Sequence, residues 1–171
     1  VIRNSSFIKE KDILQLLFYT YVRSRLEYSS LVWYPIYQVD ISSLEKIQRR
    51  FLKFLCFTND GAYPPQGFPN DLLLRRFHIQ SLSCRRYVTS IIMLYNLIHG
   101  RVKCDDLLLL LNFRAPTINL RCNSVFQIPI PRTNVMRSSP LYQMLNNYTI
   151  IETDVDIFCC SVKNIRRFFA L

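Results

Sequence analysis

The stretch from Leu44 to Leu55 constrains the fold more than any other part of the chain. Leu44, Ile47, Phe51, Phe54 and Leu55 recur at i, i+3, i+7, i+10 and i+11, which is one apolar stripe on an α-helix. Lys46, Arg49, Arg50 and Lys53 follow the same period on the opposite side. Ser42 and Glu45 stand as S-x-x-E at the start of the stripe and predict a capping box there. A helix of this kind must bury one face, so other elements of the chain have to cover it.

Those elements also read as helices. Lys11 to Leu31 is dense in helix formers, with Leu14, Leu17, Phe18, Tyr21, Val22 and Tyr28 near one face, and Pro35 closes it. Asn59 to Asn70, rich in Asn, Asp, Gly and Pro, reads as a loop or linker. Asp71 to Phe77 predicts a short helix, followed by a turn near His78 to Ser81. Leu82 to His99 predicts a longer one that buries Cys84, Val88, Ile91, Ile92, Tyr95 and Ile98, with Gly100 in the C-terminal glycine position. Asp105 and Asp106 precede Leu107 to Leu111, where carboxylates favour a helix N-terminus.

From Pro116 to Pro131 the helical period is lost. SVFQIPIP alternates in part, as an edge strand does, because its prolines cannot donate to a ladder. Ser139 with Pro140 predicts a capped helix to about Asn146, and Ser161 caps a basic helix with Lys163, Arg166 and Arg167. The expectation is a mainly α fold: an irregular helical domain of about six helices, loop-rich around 116–135. It divides into a helical segment 1–58, a linker 59–70 and a helical C-terminal region 71–171.

Composition narrows the function. Half of the 171 residues are hydrophobic, unlike a disordered segment, and only three are glycine, which argues against a turn-rich all-β fold. Lys and Arg total 22 against 12 acidic residues, a formal net charge of +10 that attracts polyanions, RNA or DNA first among them. No signal-peptide pattern precedes Lys9, and the longest aliphatic run, Leu107 to Leu111, is far short of the ~20 residues of a membrane span. The six cysteines, Cys56, Cys84, Cys104, Cys122, Cys159 and Cys160, form no CxxC pair and suit reduced, buried thiols. An intracellular protein, nuclear or cytoplasmic and neither secreted nor membrane-bound, is expected.

No catalytic set is visible. His78 and Cys84 are six apart and Cys159 and Cys160 are adjacent, so no zinc half-site follows. Asp105–Asp106, the one acidic pair, is explained by helix capping. Glu152, Asp154 and Asp156 read as a solvated turn. Nucleophile elbows and phosphate-cradling glycine loops are absent. No catalytic or metal-binding residue is assigned, and no cofactor.

The positive signal is cationic. Arg–Arg pairs stand at Arg49–Arg50, Arg75–Arg76, Arg85–Arg86 and Arg166–Arg167. Lys46, Arg49, Arg50 and Lys53 are the first candidates for phosphate contacts, with Arg85, Arg86, Arg166 and Arg167 as a second group. Such contacts position a strand without reading its sequence. Trp33, Tyr34, Tyr37, Tyr63 and Phe68 interleave with the cations, and aromatics in such company can stack on bases. Core packing is their more usual role, with Trp33 and Tyr34 the best candidates for exposure.

YVRSRLEYSSLVWYP, from Tyr21 to Pro35, followed by LEKIQRRFLKFL, from Leu44 to Leu55, gives the chain a family likeness. SLSCRR, LYNLIHG, IPRTN, SSPLYQMLNNY and DIFCCS follow in order between Ser81 and Ser161. The set resembles the region after the polymerase core in jockey-like non-LTR (LINE-type) retrotransposon reverse transcriptases, over nearly the whole chain. The resemblance implies a fragment that begins after the palm of an RNA-directed DNA polymerase, in keeping with Val1 in place of a start Met. It makes Glu10 to Phe57 thumb-like, holding template and primer in target-primed reverse transcription. The palm motif F/Y-x-D-D does not transfer, because Lys103 stands two positions before Asp105. The parent enzyme's Mg2+ therefore has no ligands here by resemblance. The alternatives are a structural scaffold packing on the missing polymerase core, or a decayed relic.

Overall fold

The computed structural model describes residues 10–114 and 124–169. The helix-forming run after Glu10 begins as α1 (Lys11–Leu17), widens into a π-helical segment (Phe18–Arg23) and tightens again as α2 (Ser24–Glu27). Then come α3 (Gln38–Asp60), α4 (Asn70–Arg76), α5 (Leu82–Ile98), α6 (Asp105–Leu109), α7 (Asn134–Ser138), α8 (Pro140–Ile151) and α9 (Val162–Phe168). The fold is mainly helical. Counting the continuous Lys11–Glu27 run once gives eight helices among the described residues, more than the six or so expected. The additional helices are short ones such as α7, whose start is fixed by the Thr133 hydroxyl accepting from Met136 N at 3.2 Å.

The predicted capping box is not formed. Helix α3 starts a full turn earlier, at Gln38, so Ser42 and Glu45 lie inside it. Ser42 Oγ instead donates to Val39 O at 2.9 Å, and Glu45 Oε1 accepts from Ser83 N at 2.7 Å. Three other caps stand as read. Gly100 takes φ 64° after α5, while Ser139 and Ser161 accept from Tyr142 N and Asn164 N at the starts of α8 and α9.

The chain divides into two compact units. One comprises residues through Ser30 together with Pro35–Arg85, the other Leu31–Tyr34 with Arg86 onward. The 59–70 segment lies inside the first unit. That unit's core joins Leu14 and Phe18 to Phe51, Leu52, Leu55 and Cys56 of α3 and to Leu73, Leu74, Phe77 and Ile79. Phe18 and Phe51 stack at 4.0 Å and 4°. Tyr21 and Tyr28, expected on the same face as Leu14, are 60% and 77% exposed. Tyr21 falls in the π-helical segment, where a fixed 3.6-residue spacing no longer predicts which side faces the core, and Tyr28 lies beyond the helix, which ends at Glu27 and not at Leu31 as expected.

The second unit's core is built around Ile91, Leu94, Leu97, Met144, Leu145, Tyr148 and Ile165. No strand occurs among the described residues. A single antiparallel bridge, Phe113 to Phe126, marks the part of SVFQIPIP that pairs, and 116–123 lie outside the described residues.

Tyr148 is 1% exposed, and its hydroxyl donates to Val155 O at 3.2 Å and accepts from Ile157 N at 3.3 Å. Replacing it by Phe orphans both groups, for an expected loss of ~1–2 kcal/mol. Burial pushes this phenol above its ordinary value, partly opposed by the Ile157 N–H. A raised folded pKa makes the stabilisation whole below about pH 10, and it is lost as pH rises through the folded value. The Cys56, Cys84 and Cys159 thiols are raised too, so urea titrations from neutral to alkaline pH should show a loss in both proteins that is larger in the native chain than in Tyr148→Phe. Declines of equal size in both would remove Tyr148 as a source.

Candidate functional site

Helix α3 buries Gln48, Phe51, Leu52, Leu55 and Cys56, a face at i, i+3, i+4, i+7 and i+8. The apolar pattern in the sequence pointed to a neighbouring side of the helix. Ile47, from the predicted stripe, is 38% exposed, while the polar Gln48 is fully buried. Gln48 earns its place through hydrogen bonds: Nε2 donates to Gln80 O at 2.8 Å and Oε1 accepts from Leu82 N at 3.2 Å.

Away from that face, Lys46 and Arg50 are exposed and Lys53 is half-buried, at i, i+4 and i+7. Among the described residues no carboxylate lies within ion-pair distance of any of the three. Arg49 sits at the edge of the buried face. Its Nη2 donates to Phe68 O at 2.7 Å, and its Nε is buried with no hydrogen-bond partner. Its guanidinium thus ties the 61–69 loop to α3.

Arg85 and Arg86 need correction as surface phosphate ligands. Arg85 is engaged in a two-pronged pair with Glu27: Nε donates to Oε1, and Nη2 to Oε2 at 2.8 Å. The hydrogen bond to Glu27 holds the Arg85 guanidinium pKa above its ordinary value. Arg23 lies 4.0 Å from the same carboxylate, and burial, followed by the charge of Arg85, lowers its pKa. Arg86 is 2% exposed. These arginines work inside the fold. Arg166 and Arg167, which directly follow the buried Ile165, are exposed on α9 in the second unit.

Of the aromatic candidates, Tyr37 and Tyr63 are exposed, Trp33 is 40% exposed, and Tyr34 and Phe68 are half-buried. Sequence reasoning missed Phe57, which continues the cationic stripe one turn beyond Lys53 and stacks on Tyr63. Its spacing carried the signal, but phenylalanine in a helix is more readily taken for core.

Asp105 and Asp106 are exposed on the first turn of α6. Among the described residues no three His, Cys, Asp or Glu side chains gather to hold a metal. Cys56 is buried, Cys84, Cys104 and Cys160 are half-buried, and Cys159 is exposed, contrary to its expected burial; Cys122 lies outside the described residues. A cavity of about 480 Å³ in the second unit is lined, among the described residues, by Phe113, Arg114, Ser124, Phe126, Gln127 and Ile128. No described helix is long and apolar enough to cross a membrane. No family model, curated protein or solved structure matches the chain.

Proposed function

We propose that the chain is a nucleic-acid-binding accessory region of a retrotransposon RNA-directed DNA polymerase. It would grip the template or primer backbone in target-primed reverse transcription, in the nucleus or cytoplasm, while the catalytic carboxylates and their Mg2+ belong to the polymerase core. The ordered likeness from Tyr21 to Ser161 supports the family. The observation that carries the activity is the row Lys46, Arg50 and Lys53, three cations on one rigid helix with no carboxylate partner among the described residues. Cations so placed displace counterions from phosphates and carry no base preference.

The test is binding of labelled RNA and DNA, single-stranded and duplex, by the purified chain across a salt series. Three phosphate contacts predict a log–log slope of about −3 on duplex DNA. A slope near zero, or no binding at low salt, would exclude the proposal. A second reading, a scaffold docking on the polymerase core, is favoured by exposed apolar side chains: Ile13, Leu16 and Tyr21 are 41%, 60% and 60% exposed. It predicts salt-insensitive association with protein and none with nucleic acid.

A further inference from the structure

We infer that Phe57 and Tyr63 form a base-stacking platform at the end of the cationic row, so that this face of α3 takes unpaired nucleic acid in preference to a duplex. The inference rests on the nucleic-acid reading above and specifies its ligand. Lys46, Arg50, Lys53 and Phe57 stand at i, i+4, i+7 and i+11, one continuous stripe about 16 Å long on α3. Phe57 is 42% exposed and Tyr63 59% exposed, with ring centroids 4.5 Å apart and planes 12° from parallel. Each ring covers one side of the other, and the pair still leaves a large aromatic surface in water. A nucleobase is a flat π system that extends such a stack whatever its identity, and three cations on the same stripe hold the phosphates that come with it. Bases within a duplex are already stacked on one another and cannot offer a face without unpairing.

The platform is held ready. Gly61, at φ 73°, ends α3 and turns the chain into the loop that carries Tyr63. Pro64 follows and confines Tyr63 to extended backbone. The far end of the loop is tied to α3 by Arg49 at Phe68 O, which makes Arg49 a positioning residue. Asp60, three residues after Phe57 at the end of α3, is paired with Arg76 at 2.7 Å and so opposes an approaching phosphate less. A binding surface set in advance loses little conformational entropy when a base arrives.

The test compares the native chain with Tyr63→Ala and Tyr63→Trp by fluorescence anisotropy. The probes are an oligouridine, an oligothymidine, the same thymidine strand with abasic positions, and a DNA duplex of equal length. Stacking of one base predicts about a tenfold loss of single-strand affinity in Tyr63→Ala. Tyr63→Trp should keep that affinity, and duplex affinity and salt slope should be unchanged throughout. Abasic positions should weaken the native chain and leave Tyr63→Ala indifferent. Equal effects of Tyr63→Ala on single strand and duplex, or no effect on either, would overturn the platform while leaving the cationic row intact. Absence of binding to all probes would instead overturn the underlying reading. The uridine and thymidine arms separate RNA from DNA.

Discussion

Replacing Gln48 by leucine is expected to destabilise the first unit by ~1–2 kcal/mol, although the change puts a more hydrophobic residue of similar size at a fully buried position. The Gln48 side chain satisfies two backbone groups at the entry to α5, donating to Gln80 O and accepting from Leu82 N. Leu82 is itself fully buried, so its N–H has no access to water once the acceptor is gone. The orphaned Leu82 N–H costs ~1–3 kcal/mol, and the apolar gain of the leucine offsets only part of that. Urea unfolding checks this: the midpoint should fall with little change in slope. A midpoint equal to or above the native one would mean that the hydrogen bonds contribute nothing net. Gln48→Glu gives a complementary measurement. It keeps an acceptor for Leu82 N, loses the donor to Gln80 O, and buries a charge, so it should be more stable at acidic than at neutral pH.

Gln48 also shows what the sequence could and could not disclose. Periodicity located α3 correctly as the dominant helix, because Phe51 and Leu55 are both core residues. It misjudged which side faces inward, since a glutamine in the middle of the buried face looks polar until its two backbone partners, more than thirty residues away, are known. Glu45 misled for a related reason. Its spacing from Ser42 fitted a local cap, whereas its actual partner is the Ser83 N–H. Cap residues whose partners are local, Ser139 and Ser161, were legible.

The cationic candidates divide along the same line. Lys46, Arg50 and Lys53 could be placed from helix spacing alone, as could Arg166 and Arg167 on α9. Arg49 and Arg85 take partners distant in sequence, Phe68 O and Glu27, and Arg86 is buried on the same turn of α5 as Arg85. A pair of adjacent arginines points in two directions around a helix, about 100° apart, so a doublet alone does not show which member faces water. The Phe57–Tyr63 stack was hidden because a loop brings Tyr63 back over the helix end.

Reversing the three charges of the row, as Lys46→Glu, Arg50→Glu and Lys53→Glu together, is expected to weaken nucleic-acid binding by ~100-fold or more at low salt and to remove most of the salt slope. Each reversal removes two units of charge, so the formal net charge drops from +10 to +4. A general loss of attraction must therefore be separated from the loss of a particular row. The matched control is Lys103→Glu, Arg132→Glu and Arg137→Glu, three exposed cations of the second unit, which gives the same net charge. If the row makes the phosphate contacts, the control keeps most of the slope, because the slope counts the cations that displace counterions from phosphates. Arg49→Gln completes the comparison. It leaves Lys46, Arg50 and Lys53 in place and loosens the loop at Phe68, so single-strand affinity should fall while duplex affinity and slope stay near native. Equal losses from the two triple variants would assign binding to net charge alone, and α3 would then be a packing helix whose outer face has no particular ligand.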